Sequence, residues 1–179
     1  ELNDIDCAVT RMINNEFVVG DKIAVIGLSR GAGLALEVAA HNANVGLTIA
    51  LSPSSIRKAG MGESYPFKDP ARVRNGEPFE WVRGGNGFGM LLLFLSSVIR
   101  RKPMRQTRGF LGALNKNVEA VERSTIQVEN CKGPMTLIVG DDDGLWPSQE
   151  YADRIAGRLK ELDWPGTVRV ECVPGAGHF

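Results

Sequence analysis

An α/β fold built on a mostly parallel sheet is what this sequence predicts, and three observations predict it. Short β-rich apolar runs recur at residues 22–26, 47–51, 135–139 and 168–173. Helical patterns at residues 30–42 and 149–162 lie between some of them. Strand and helix therefore alternate along the chain, the order that parallel strands with crossover helices require. With 179 residues, 43% of them apolar, and no net charge, the chain is long enough to bury a core as one domain over residues 1–179.

Taken in order, residues 2–17 put Leu2, Ile5, Val9, Met12, Ile13 and Phe17 on one face of a helix that "GD" closes. The first strand, "KIAVI", runs into "GLSRGAG", and "LALEVAAH" continues as a helix. Residues 53–117 break the rhythm with many glycines, prolines and arginines, and are expected to be an insertion or lid within the domain. Inside it, the apolar run "MLLLFLSSVI" at residues 90–99 is about half the length of a membrane span and is followed by "RRK"; it reads as a buried or lid helix. Three scattered cysteines, Cys7, Cys131 and Cys172, argue against a disulfide framework or a zinc site and for a reducing, intracellular compartment. The chain begins at Glu1 without a methionine and ends one residue after a histidine, so it is expected to be truncated at both ends.

The chemistry starts at "VIGLSRGAG". A strand, a sharp turn and a helix with Ser29 at the turn suit a nucleophile elbow, which needs small residues two before and two after the serine. Gly27 and Gly31 fill both places, and Gly33 adds room where the helix packs. The motif alone is weak, since a plain turn or a phosphate-cradling loop has the same composition. A serine hydroxyl needs a base to take its proton. His41 lies twelve residues along the same helix, roughly 18 Å away at 1.5 Å per residue, and is too far. His178, in "PGAGH" after the last strand, falls at the same sheet edge as the elbow, although a lone loop histidine is more often simply solvated. A carboxylate is then expected after an intermediate strand, and "VGDDDGLWPS" offers Asp141, Asp142 and Asp143. A solvated acidic loop, a helix cap or a divalent metal site are the competing readings of that cluster. The order serine, aspartate, histidine after successive strands is that of the α/β-hydrolases and favours the catalytic reading.

"GLSRGAGLALEVAA", "VERSTIQVENCKGPMTLIVGDDDGLWPS", "YADRI" and "VPGAGH" together resemble the C-terminal catalytic domain of acyl-CoA thioesterases and bile acid-CoA:amino acid N-acyltransferases. The resemblance runs from about Ile5 to the end, loosely over Pro53 to Leu114. It implies an α/β-hydrolase fold, Ser29 as nucleophile, His178 as base, and, among the three aspartates, Asp143, three residues before Trp146. The backbone N–H of Arg30 is the implied oxyanion donor, and a second donor belongs to an upstream loop outside this sequence. Members that conjugate bile acids carry cysteine at the elbow, so Ser29 implies transfer to water: hydrolysis of acyl-CoA to fatty acid and CoA, with no cofactor. An amino acid N-acyltransferase, another serine esterase or peptidase, and a non-catalytic binding domain are the alternatives.

Charge bears on the substrate. Residues 57–116 hold twelve Lys or Arg against four Asp or Glu. Within them Arg100, Arg101, Lys102, Arg105 and Arg108 are candidates for the phosphates of CoA, although most such runs are solvated faces. With zero net charge and no recognised module, nucleic acid is a poor fit.

Overall fold

A computed structural model describes residues 2–60, 69–82 and 87–178 of the chain. Four strands form a parallel sheet in the order β1 (Ile23–Leu28), β2 (Val45–Leu51), β5 (Met135–Gly140), β6 (Val168–Val173). Each joins the next through a crossover: α2 (Arg30–His41) between β1 and β2, and α6 (Ser148–Glu161) between β5 and β6. Crossovers of one hand that step steadily in one direction put their helices on one face of the sheet. The buried core fits this, since Leu36 and Ala39 of α2, Leu137 and Val139 of β5, and Ile155 and Leu159 of α6 form one cluster. On the opposite face of β1, Ile26 is 71% exposed.

Alternating burial along β1 and β5 is the period-two pattern of a sheet with one covered face. The predicted strands and both predicted helices fall within two residues of these elements. The first helix is shorter than its apolar pattern: α1 spans Leu2–Ile13 and buries Leu2 and Val9. Beyond Ile13 the chain leaves the helix, so Phe17 is 85% exposed; Met12, within the last turn, is exposed as well. Both depart from the expected apolar stripe.

Between β2 and β5 the chain forms a two-residue hairpin, β3 (Val73–Arg74) with β4 (Glu77–Pro78), and the helices α3 (Gly87–Arg100), α4 (Thr107–Lys116) and α5 (Val118–Arg123). Residues 61–68 and 83–86 of the expected insertion lie outside the described residues. A second cluster forms here: Ile56, Leu114 and Val121 pack with Trp146 and Tyr151 from the other side of β5. The insertion is tied down electrostatically as well. Glu37 of α2 is fully buried and accepts two hydrogen bonds from Arg57, at 2.8 and 2.9 Å, and one from Arg72 at 3.2 Å. The apolar run at residues 90–99 is helical, as expected, but it is not a buried helix. Leu91, Leu92, Phe94, Leu95, Val98 and Ile99 of α3 are all exposed, because no described element covers them. Among the described residues no helix is long and apolar enough to cross a membrane.

Candidate active site

The serine sits where β1 turns into α2. Its backbone has φ 58° and ψ −118°, outside the regions that side-chain-bearing residues favour, so the turn is strained. The strain is held from both sides. Ser29 N–H donates to the Leu51 carbonyl at 2.8 Å, continuing the ladder to β2, while its own carbonyl accepts from Ala32 N at 3.1 Å and so starts the helix. Gly27 is required by this turn, because a Cβ there would lie 2.1 Å from the Gly31 carbonyl oxygen. The steric reason expected for Gly31 does not hold: a Cβ at that position meets nothing within 4 Å, because Gly31 lines an open pocket. At Gly33 the space is filled by the Arg72 guanidinium, 2.8 Å from a built Cβ, rather than by the sheet.

His178 reaches this turn from the loop after β6. Its Nε2 lies 2.8 Å from Ser29 Oγ, and its Nδ1 lies 2.8 Å from Asp143 Oδ2. A carboxylate only accepts, so Nδ1 carries the proton and Nε2 is left to accept from the serine hydroxyl. Burial of both His178 and Asp143 strengthens that pair. The loop closes over the end of β5 so tightly that a Cβ on Gly140 would stand 2.2 Å from the Ala176 carbonyl. From behind, Ser52 Oγ donates to the His178 carbonyl at 2.9 Å, and the Trp146 ring meets the imidazole edge-on with centroids 4.9 Å apart. Trp146 is itself fixed by its indole N–H donating to the Ser52 carbonyl at 3.2 Å.

The three aspartates divide into three surroundings. Asp141 accepts from Gly175 N at 2.7 Å and ties the acidic loop to the histidine loop. Asp142 is exposed and pairs with Arg105 at 2.7 Å. Asp143 is buried; Oδ1 accepts from the N–H groups of Leu145 and Trp146 at 2.9 and 3.2 Å, which leaves Oδ2 aimed at His178. The other histidine, His41, bonds Glu37 at 3.1 Å at the far end of α2.

A pocket of about 230 Å³ opens beside Ser29, lined also by Arg30, Gly31, Leu34, Ser54, Ile56, Lys58, Ala71, Arg72 and Trp146. The stretch just after Ser52 supplies three of these residues, Ser54, Ile56 and Lys58. Lys58 and Arg72 carried no motif signal in the sequence. Burial pushes the Lys58 ammonium well below the usual lysine range; the charge of Arg30 adds to this and that of Asp143 opposes it. Arg100, Arg101, Lys102 and Arg105 do not line the pocket; all four are exposed, and Arg105 is held by Asp142. Among the described residues no group of three His, Cys, Asp or Glu is arranged to hold a metal ion.

Residues 96–179 match the family model described as BAAT / Acyl-CoA thioester hydrolase C terminal. This stretch of the chain is similar to that family. It contains Asp143 and His178, while Ser29 lies upstream of the match. Longer alignments reach across the elbow. The mouse (Mus musculus) peroxisomal succinyl-coenzyme A thioesterase is 26% identical over 187 residues, with 100% of this chain and 38% of that protein covered. The mouse mitochondrial acyl-coenzyme A thioesterase 2 is 26% identical over 178 residues, with 96% and 33% covered. The chain thus spans 33–38% of the length of these relatives. Solved structures agree on the fold. DcsB in complex with a substrate analogue superposes with a TM-score of 0.52 at 19% identity, over 99% of this chain and 64% of that one. A Mycobacterium tuberculosis puromycin-hydrolyzing peptidase gives 0.56 at 15% identity, over 99% and 22%. The α/β-hydrolase fold and the family resemblance legible in the sequence are both borne out.

Proposed function

We propose that the chain is the catalytic part of a serine hydrolase that cleaves acyl-CoA thioesters to free acid and CoA through an acyl-serine intermediate. One observation carries the reading: Ser29 Oγ, His178 and Asp143 form a continuous chain of two 2.8 Å contacts at the mouth of a pocket. The family match and the thioesterase names of the relatives support the choice of substrate. Their peroxisomal and mitochondrial names support an intracellular site of action.

In this mechanism Ser29 Oγ attacks the thioester carbonyl while His178 Nε2 takes its proton. The oxyanion that forms accepts from the N–H of Arg30, which as the first residue of α2 has no acceptor within the helix. Collapse breaks the C–S bond, and His178 returns the proton to the departing thiolate. Water then adds to the acyl-serine with His178 again as base, releasing the acid and restoring Ser29. Asp143 holds the tautomer and stabilises the imidazolium throughout. Serine rather than cysteine at the elbow favours water over an amine as acceptor.

Thiol release from acyl-CoAs, with glycine or taurine present and absent, tests this. Free acid and free thiol in equal amounts, lost in Ser29→Ala, is the expected result. Amide product would move the reading to an acyltransferase. Cleavage of oxygen esters with no thiol released from any acyl-CoA would contradict it.

A further inference from the structure

Helix α3 turns its apolar side outward. Its sequence, GFGMLLLFLSSVIR, carries no charge until the final residue. Leu91, Leu92, Phe94, Leu95, Val98 and Ile99 are exposed, Ile99 by 80%. Leu93, Ser96 and Ser97, which form one stripe at three- and four-residue spacing, are half-buried. A helix whose outer face meets only water has the reverse arrangement, with its polar residues outside. The Ser97 hydroxyl donates to the Phe94 carbonyl at 2.8 Å, so it makes little demand on water. At 14 residues the helix is about 21 Å long, against about 30 Å for a bilayer core, so it can lie along an apolar boundary but not cross one. Charge follows directly. Arg100, Arg101 and Lys102 come next in the chain and are exposed, and Arg108, in the first turn of α4, is exposed as well. Between Glu80 and Glu119 the sequence holds seven Lys or Arg and no Asp or Glu.

We infer that α3 and the basic residues after it dock this protein on the surface of a bilayer rich in anionic phospholipid. The helix lies in the headgroup boundary with its apolar side chains among the acyl chains, and Arg100, Arg101 and Lys102 meet the lipid headgroups. Two features favour this occupant over a protein. A specific protein interface carries about one hydrogen bond per 100–200 Å², and the exposed side chains of α3 before Arg100 offer no donor or acceptor. A second copy of the chain would bring the same basic cluster, and the two would repel. The surface is also tied to the site. Arg105 pairs with Asp142 at 2.7 Å and Gln106 N–H donates to the Gly144 carbonyl at 2.7 Å, which fixes the segment leaving α3 to the loop that carries Asp143.

Flotation of the purified protein with phosphatidylcholine vesicles, and with vesicles of phosphatidylcholine and phosphatidylserine in equal amounts, tests this. Wild type is expected to float with the mixed vesicles and to bind pure phosphatidylcholine about tenfold more weakly or less. Leu95→Glu/Ile99→Glu and Arg100→Gln/Arg101→Gln/Lys102→Gln should each weaken binding to the mixed vesicles about tenfold or more. The substituted side chains are exposed, so both variants should keep the wild-type Tm. If Leu95→Glu/Ile99→Glu fails to fold, Phe94→Trp reads the same contact: phosphatidylserine brominated in its acyl chains should quench the added emission. No flotation of wild type, equal binding to the two vesicle types, or an unquenched Trp overturns the inference. So does a folded Leu95→Glu/Ile99→Glu that floats as wild type does. A dimer that the same substitutions disperse and that does not float would overturn it too, and would assign the face to a second copy.

Discussion

Asp141, Asp142 and Asp143 are chemically identical, and nothing in their sequence order says which one faces the histidine. Their surroundings do: the N–H groups of Leu145 and Trp146 pin one oxygen of Asp143 and leave the other 2.8 Å from His178. Asp143→Asn is therefore expected to reduce kcat for thiol release by roughly 10³–10⁴-fold, since an amide favours the wrong tautomer. Asp142→Asn removes only an exposed pair with Arg105, worth at most about 1 kcal/mol, and should leave kcat within about threefold. Equal losses in the two variants would contradict this division of roles. Ser29 and His178 were legible from motif and chain order. Ser52, which holds the histidine loop from 126 residues away, was not, because a lone hydroxyl after a strand looks like any turn serine.

At the scale of elements, two backbone approaches position the site: the elbow folds back on Gly27, and the histidine loop crosses Gly140. A methyl group at either would meet a carbonyl oxygen of the main chain, at 2.1 or 2.2 Å, and the main chain cannot swing aside as a side chain would. Gly27→Ala and Gly140→Ala are each expected to cost about 3 kcal/mol or more. Thermal melts should show this as a fall in Tm of roughly 6 °C or more. Gly31→Ala, with open space before it, should keep the wild-type Tm. Matching melts for Gly27→Ala and wild type would show that the elbow is looser than described. Periodicity located the strands and both crossover helices because one covered face imposes a simple repeat. It failed for Phe17, and the apolar run of α3 forms its helix without burial, since an apolar pattern reports what a segment can bury and not whether anything lies against it.

For the whole molecule, the buried Glu37 joins α2 to the segments carrying Arg57 and Arg72. This long-range tie was invisible in sequence, where Glu37 is one polar residue inside a helix. Burial alone would raise its pKa, but hydrogen bonds from His41 and Arg57 and the charges of Arg57 and Arg72 outweigh that and hold it at about 2, below the ordinary 4.5. A carboxylate depressed on folding stabilises the native state above its unfolded pKa and loses that contribution as pH falls through the folded one. About 3 kcal/mol should therefore disappear between pH 4.5 and 2. Urea midpoints across that range check it, and Glu37→Gln should flatten the contribution while destabilising the protein at pH 7 by about 3–5 kcal/mol, because two buried guanidiniums lose their acid. The claim on which the functional account turns is the acyl-serine, and acid quench of the protein during acyl-CoA turnover, followed by peptide mass analysis, tests it most directly. The account predicts the mass of the acyl group on the peptide carrying Ser29, and none in Ser29→Ala; thiol release at the full rate with that peptide unmodified, or the acyl group on another residue, would contradict it.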